Sequence, residues 1–308
     1  MYTEFFNLKE RPFNLTPSPR FLYLGEYHKE ALALLTYGVL ERKGFILLTG
    51  EVGTGKTTII HALLRQLDEQ ILYIHLSNPL LSVNDFMAYL AFSAFEEKAV
   101  FKSKAKFLIA FEAFLKKRRQ HQQNVLLIID EAQALSFDLL EEIRLLSNME
   151  SADEKLINIF LVGQPELNEK LNDPRCRALR QRISSSYHIP PLTPESTVDY
   201  IHTRLKVAGY ASPTDLFPGK VIRSIHHYSQ GYPRMINTLA DHCLLLAYSK
   251  GSRKITPDMV RQSYEELNLN GLPTQQQPSA PVTLIPTPEE RGHPVRRWKW
   301  VLGLFMGL

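Results

Sequence analysis

Gly50-Glu51-Val52-Gly53-Thr54-Gly55-Lys56-Thr57 fits the pattern G-x-x-x-x-G-K-[ST], a phosphate-binding loop. The flanking residues supply the context the motif needs. Gly44-Phe45-Ile46-Leu47-Leu48-Thr49 reads as a buried strand, and Thr58 to Leu67 reads as a helix. Glycines let the backbone wrap closely around a polyphosphate, so that N–H groups and the helix N-terminus face the anion. Lys56 is then placed to reach the β- and γ-phosphates, and the Thr57 hydroxyl to bind Mg²⁺. The pattern predicts a nucleotide site built from residues 50–57, extended to Thr58 at the helix start.

A second element narrows the chemistry. Asn124-Val125-Leu126-Leu127-Ile128-Ile129-Asp130 is apolar up to its final acid, as suits a central parallel strand buried on both faces. Asp130 at its end is placed to hold Mg²⁺ through water, and Glu131 to polarise a water for attack on the γ-phosphate. On their own, the two would sooner read as a helix N-cap and a first-turn charge facing the helix dipole. Paired with Lys56, they point to hydrolysis. A further strand, Ile71 to Leu76, falls between Lys56 and Asp130, an order that belongs to the ATPases with a strand inserted between the two motif strands.

Outward from these motifs, helices are expected at 27–42, 83–95, 104–119 and 137–149, a fourth strand at 157–162 and a weaker fifth at 186–189. Alternating strands and helices imply an α/β sheet with right-handed crossovers. After Pro190-Pro191 no strand pattern remains, and helices are expected at 195–208, 218–229, 233–249 and 257–267. The expected organisation is an N-terminal arm (1–26), an α/β core (27–191), a helical lid (192–269), a Pro/Gln-rich linker (270–295) and a basic-aromatic tail (296–308). The arm, rich in Phe and Pro, is expected to run extended and pack on the main domain.

Composition constrains without deciding. A hydrophobic content of 44%, a charged content of 22% and a net charge of +4 are ordinary for a globular protein and do not demand a nucleic-acid partner. Cys176 and Cys243 are widely spaced, which argues against a zinc site or disulfide scaffold and for a reducing cytoplasmic setting. Lys116-Lys117-Arg118-Arg119 could contact nucleic acid, but cations ending a helix also complement its dipole, and the solvated reading is preferred. In the tail, Arg296, Arg297 and Lys299 beside Trp298 and Trp300 look like the cytoplasmic flank of a membrane segment. The apolar residues that follow are far fewer than the roughly 20 a spanning helix needs, so the tail reads as a truncated segment or an interfacial anchor.

Together these residues resemble the AAA+ ATPases, and among them the ExeA type, the general secretion pathway protein A group. That group has relatives in pilus and exopolysaccharide operons. The resemblance covers about residues 1–268. It rests on Phe6-Asn7-Leu8 with Pro12-Phe13, Thr16-Pro17-Ser18-Pro19, the phosphate loop and Asp130-Glu131-Ala132-Gln133. Leu161-Val162-Gly163-Gln164-Pro165-Glu166-Leu167, Gln181-Arg182-Ile183 and Gly231-Tyr232-Pro233-Arg234 complete it.

The resemblance implies a P-loop NTPase fold of the AAA+ type, a parallel sheet between helices with a C-terminal helical lid, using ATP and Mg²⁺. It implies that Gln164 is a sensor at a strand end, although a cap of the Pro165 turn is an equal alternative. Arg234 would be the second sensor, an Arg on the lid whose fork suits phosphate oxygens. Arg182 would be an arginine finger given to a neighbouring subunit, with Arg177 and Arg180 crowding the same stretch. A finger implies a homo-oligomer with sites at subunit interfaces. The resemblance also implies secretion or pilus assembly components as partners, and attachment to the inner membrane through the C-terminal end. The alternative reading is a DNA-binding AAA+ regulator of transposition or replication.

Overall fold

The computed structural model describes residues 2–267, apart from 17–18, 69, 96–100, 102 and 152–153. The readings for the linker and the tail therefore lie outside the described residues. All described elements fall within one unit, Met1–Leu269.

Five strands form a parallel sheet: Phe45–Gly50 (β1), Ile71–Leu76 (β2), Asn124–Ile129 (β3), Asn158–Gly163 (β6) and Ile183–Ile189 (β7). Their order is β2-β3-β6-β1-β7, every neighbouring pair being parallel. Between β3 and β6 lies a short antiparallel pair, Glu150–Ser151 (β4) and Glu154–Lys155 (β5). The interior strands β1, β3 and β6 are almost continuously apolar and buried, because helices cover both faces of the sheet.

On one face, Ile46, Leu48, Leu126, Ile128, Phe160 and Val162 pack against Glu26–Leu40 (α2) and Lys56–Gln66 (α3). On the other, Leu47, Leu127, Ile129, Ile159 and Leu161 join a core with Val83–Phe95 (α4), Lys104–Gln120 (α5) and Phe137–Leu146 (α6). The odd–even split of adjacent residues is the strand period of two.

Two short helices, Glu166–Asn172 (α7) and Arg177–Arg180 (α8), lead into β7. That strand begins at Ile183, three residues before the predicted start. As an edge strand it exposes alternate residues, so its Ser184-Ser185-Ser186 run carries little apolar signal, yet it pairs with β1 along its length.

The C-terminal helices are Pro194–Val207 (α9), Gly219–Ser229 (α10), Pro233–Ser249 (α11) and Pro257–Glu266 (α12). Thr193 and Thr256 cap α9 and α12 ahead of prolines at the first helical position, the arrangement that best tolerates a missing N–H.

The N-terminal arm departs from expectation in two ways. Tyr2–Phe5 forms a short helix (α1), and most of the arm packs on the C-terminal helices, while Leu22 and Leu24 pack against the core over the sheet. Tyr2, Phe6, Leu8, Phe13 and Phe21 are buried among Tyr200, Ile201, Phe217, Ile236 and their neighbours. Polar contacts fix it there: the Lys9 N–H donates to the Ala208 carbonyl (2.8 Å), and Tyr2 hydrogen-bonds Asp241. The arm's aromatic rings fill apolar space that the four amphipathic helices leave between them.

The basic cluster ending α5 makes local contacts. Lys116 pairs with Glu112 (2.6 Å), Arg119 with Glu154 (2.5 Å), and Arg118 donates to Gln123 (2.9 Å). Among the described residues, no helix is long and apolar enough to cross a membrane.

Candidate nucleotide site

The turn after β1 prepares the loop for an anion. Gly53 and Gly55 have φ of 84° and 98°, conformations that L side chains rarely adopt. Gly55 is also the cap position of α3, so the helix starts at Lys56, two residues earlier than predicted. The first-turn N–H groups of α3, which have no partner within the helix, thereby open on the loop. A Cβ at Gly53 would stand 2.7 Å from the Cβ of Arg234, so glycine also lets α11 dock on the loop. The Arg234 N–H donates to the Gly53 carbonyl across that contact (3.3 Å).

Lys56 is 7% exposed, and its ammonium donates to the carbonyls of Gly50 (2.7 Å) and Glu51 (3.0 Å). Burial lowers its pKa, while the Glu131, Asp130 and Glu51 carboxylates oppose that shift. Two of its three protons are used, which leaves one for a ligand. Thr54 faces inward, its hydroxyl donating to the Glu51 carbonyl (2.8 Å), and Val52 is exposed at the loop tip.

The two predicted metal-holding residues meet. The Thr57 hydroxyl donates to Asp130 Oδ2 (3.1 Å), and the Glu131 N–H donates to Asp130 Oδ1 (2.9 Å). A hydroxyl and a carboxylate converging beside a phosphate loop form the oxygen donor set that suits Mg²⁺. Glu131 follows in the left-handed region, with φ of 53°, a strained conformation that turns its side chain out of the sheet end. Its Oε2 accepts from Gln133 Nε2 (2.5 Å) and from Gln164 Nε2 (3.1 Å). Gln164 thus reaches the site through Glu131.

Lys56, Thr57 and Glu131 face a cavity of about 570 Å³, within the range of small-molecule sites. Gly53, Gly55, Lys56, Thr57, Thr58 and Glu131 form one wall. Arg234, Tyr200, Arg204 and Asn237 of the C-terminal helices line the cavity as well, and Tyr23 and His28 also face in. Arg182 stands apart, half-buried and donating to Ser147 Oγ (2.9 Å). Arg177 and Arg180 are exposed, the latter bonded to Asn172 (2.8 Å). None of the three lines the cavity of its own chain.

Residues 39–171, which include the phosphate loop and Asp130-Glu131, match the family model described as an AAA domain. The chain carries an AAA domain. It is similar to general secretion pathway protein A of Aeromonas hydrophila, 39% identical over 273 residues. That match covers 86% of this chain and 48% of the relative, so the chain spans about half the relative's length. Among solved structures, Cdc6p of Pyrobaculum aerophilum is similar in fold, with a TM-score of 0.60 and 21% identity over 85% of this chain and 74% of that one. The RuvB Holliday junction branch migration motor of Thermotoga maritima gives a TM-score of 0.54 and 20% identity over 82% and 73%. The fold is therefore that of the AAA+ P-loop NTPases.

Sequence reasoning missed two parts of this AAA+ site. One is Arg204, buried in α9, whose Nε donates to the Pro12 carbonyl (2.6 Å) and Nη2 to the Asn14 carbonyl (3.2 Å). It ties the arm to the helices where both line the cavity. No local pattern marks it, because the arm carbonyls it holds lie far away in the sequence. The other is Gln133, whose side chain links Glu131 to the end of β6.

His28 gives the AAA+ core a pH dependence. Its Nε2 lies 2.8 Å from the Thr54 carbonyl, which only accepts, so Nε2 carries the proton. Nδ1 is buried without a partner, and a second proton there would be a buried, unpaired charge. Burial accordingly lowers the His28 pKa below 6.5. On acidification the unfolded chain then takes up more protons than the folded one. The stability held above pH 6.5 is lost as pH falls below it. Melting temperatures measured between about pH 7.5 and 5.5 should fall, and more steeply than in His28→Gln. Equal slopes would remove His28 as a contributor, since His75, His188 and His226 shift in the same direction.

Proposed function

We propose that this AAA+ core hydrolyses ATP with Mg²⁺ to drive assembly or operation of a bacterial envelope secretion or pilus-type system. The observation that carries the hydrolytic reading is that Lys56, Thr57 and Glu131 line one cavity, with Asp130 hydrogen-bonded to Thr57 and to the Glu131 N–H beside it. Lys56 and the loop N–H groups bind the phosphates, Thr57 and Asp130 hold Mg²⁺, and Glu131 orients the attacking water. Bound there, Mg²⁺ would neutralise charge on the β- and γ-oxygens. Gln164 holds Glu131 in place, and Arg234 pairs with phosphate from the helical lid.

Arg182 serves a neighbouring subunit as the finger, a role supported by its position outside its own cavity. Such a finger contributes roughly 10³–10⁵ in rate. The working form is then a homo-oligomer, divided within each chain into arm, core, lid, linker and tail. The tail attaches it to the inner membrane from the cytoplasmic side. The secretion reading rests on the 39% identity to general secretion pathway protein A over 86% of this chain. Drosophila ORC bound to DNA and the RuvB Holliday junction motor, which share this fold, are more distant, at 16% and 20% identity.

One assay separates these readings. Turnover per protomer should rise with protein concentration and be lost in Arg182→Ala. Mixing Arg182→Ala with Lys56→Ala should restore part of it, because one chain keeps a loop and the other a finger. Duplex DNA should leave the rate unchanged. Strong stimulation by DNA that weakens with added salt would instead support the DNA-binding regulator, and failure of the mixed chains to recover would remove Arg182 from the neighbour's site.

A further inference from the structure

We propose that Gln133 is a positioning residue for Glu131, fastening its carboxylate to the end of β6 and selecting which oxygen faces the attacking water. The proposal rests on the reading of Glu131 as the group that orients that water.

The turn Ala132–Ala134 follows Glu131 directly and brings Gln133 back over the carboxylate. The orientation of the Gln133 amide is fixed by its partners. The Gln164 N–H can only donate, and it donates to Gln133 Oε1 (3.1 Å), so Nε2 faces Glu131. That nitrogen donates to Glu131 Oε2 at 2.5 Å, and Gln164 Nε2 donates to the same oxygen at 3.1 Å. Both amides thus occupy Oε2, which leaves Oε1 for water.

The clamp is anchored from behind. Lys170 on α7 donates to the Gln133 carbonyl (2.5 Å) and the Leu135 carbonyl (2.7 Å), which ties the turn to that helix. Gly163 allows the close approach, since a Cβ there would stand 2.8 Å from Gln133 Oε1. Gln133 itself does not line the cavity, so it acts on a ligand only through Glu131. A base on a strained backbone, exposed at the cavity wall, has few other restraints on its side chain. Losing the clamp should therefore cost geometry, and a displacement of about 1 Å can cost on the order of a hundredfold.

The test is steady-state and single-turnover ATPase kinetics with Gln133→Met, which keeps the length of the side chain and removes both hydrogen bonds. We expect kcat to fall roughly ten- to a hundredfold, with KM and the affinity for a fluorescent ATP analogue unchanged. Gln133→Glu, which keeps the acceptor for Gln164 but puts a like charge beside Glu131, should lose rate in the same way. In a Glu131→Gln background, Gln133→Met should add no further loss, because the residue it positions is already disabled. A kcat within twofold of the parent would overturn the proposal. So would a further loss of the same size in the Glu131→Gln background. Normal turnover by Glu131→Gln alone is a different result, which removes the water-orienting role itself.

Discussion

Lys56→Ala should abolish measurable ATP turnover, by at least about 10²–10³ in kcat, the usual cost of removing one charge-stabilising donor at a transition state. The loss extends to binding. Lys56 is the cation at the floor of the loop, held by the Gly50 and Glu51 carbonyls so that its remaining proton is aimed without further ordering. Alanine removes the charge that offsets the phosphates and leaves Asp130, Glu131 and Glu51 facing an anion unopposed. The fold should survive, because the change also relieves the burial of an ammonium, and the two carbonyls lie beside a cavity that water can enter. Fluorescent ATP-analogue binding and phosphate release, measured beside a thermal melt, decide it. Unchanged ATPase activity with an unchanged melt would sink the assignment of the loop.

How much of this site was legible depends on how local each signal is. Gly50–Thr57 and Asp130-Glu131 are short runs at the ends of strands β1 and β3, and strands that are apolar on both faces announce themselves. Sequence could therefore single out the loop, Asp130 and Glu131 as candidates. It could not place Gln133, because its meaning comes from Gln164, which reaches it only once β3 and β6 lie side by side. Arg204 was hidden for the same reason, being an ordinary helical arginine until the arm folds across it. The arm's main seat on the C-terminal helices was not foreseen, because its aromatic and proline content says that it packs, without saying on what. Edge strand β7 was shortened because its serines alternate between sheet and solvent, and half-polar strands lack the continuous apolar run that marked the others.

Glu131→Gln separates binding from chemistry. The replacement is nearly isosteric, and its amide oxygen can still accept from Gln133 and Gln164, so the clamp on this side chain persists. The Asp130 contacts to Thr57 and to the residue-131 N–H do not involve the changed atoms. ATP affinity should therefore match that of the parent, or exceed it slightly, because a negative charge near the γ-phosphate is gone. Turnover should fall by about 10²–10⁴, the range for losing a positioned general base. An arginine finger predicts more: chains that hold ATP without hydrolysing it should accumulate as the oligomer, since the phosphate that Arg182 contacts is never released. Sizing Glu131→Gln with and without ATP, beside its phosphate-release rate, reads both effects. An ATP-stabilised oligomer with negligible turnover supports the interface site and the base together. A dead enzyme that stays monomeric with bound ATP keeps Glu131 in its role and removes Arg182 from the neighbour's site.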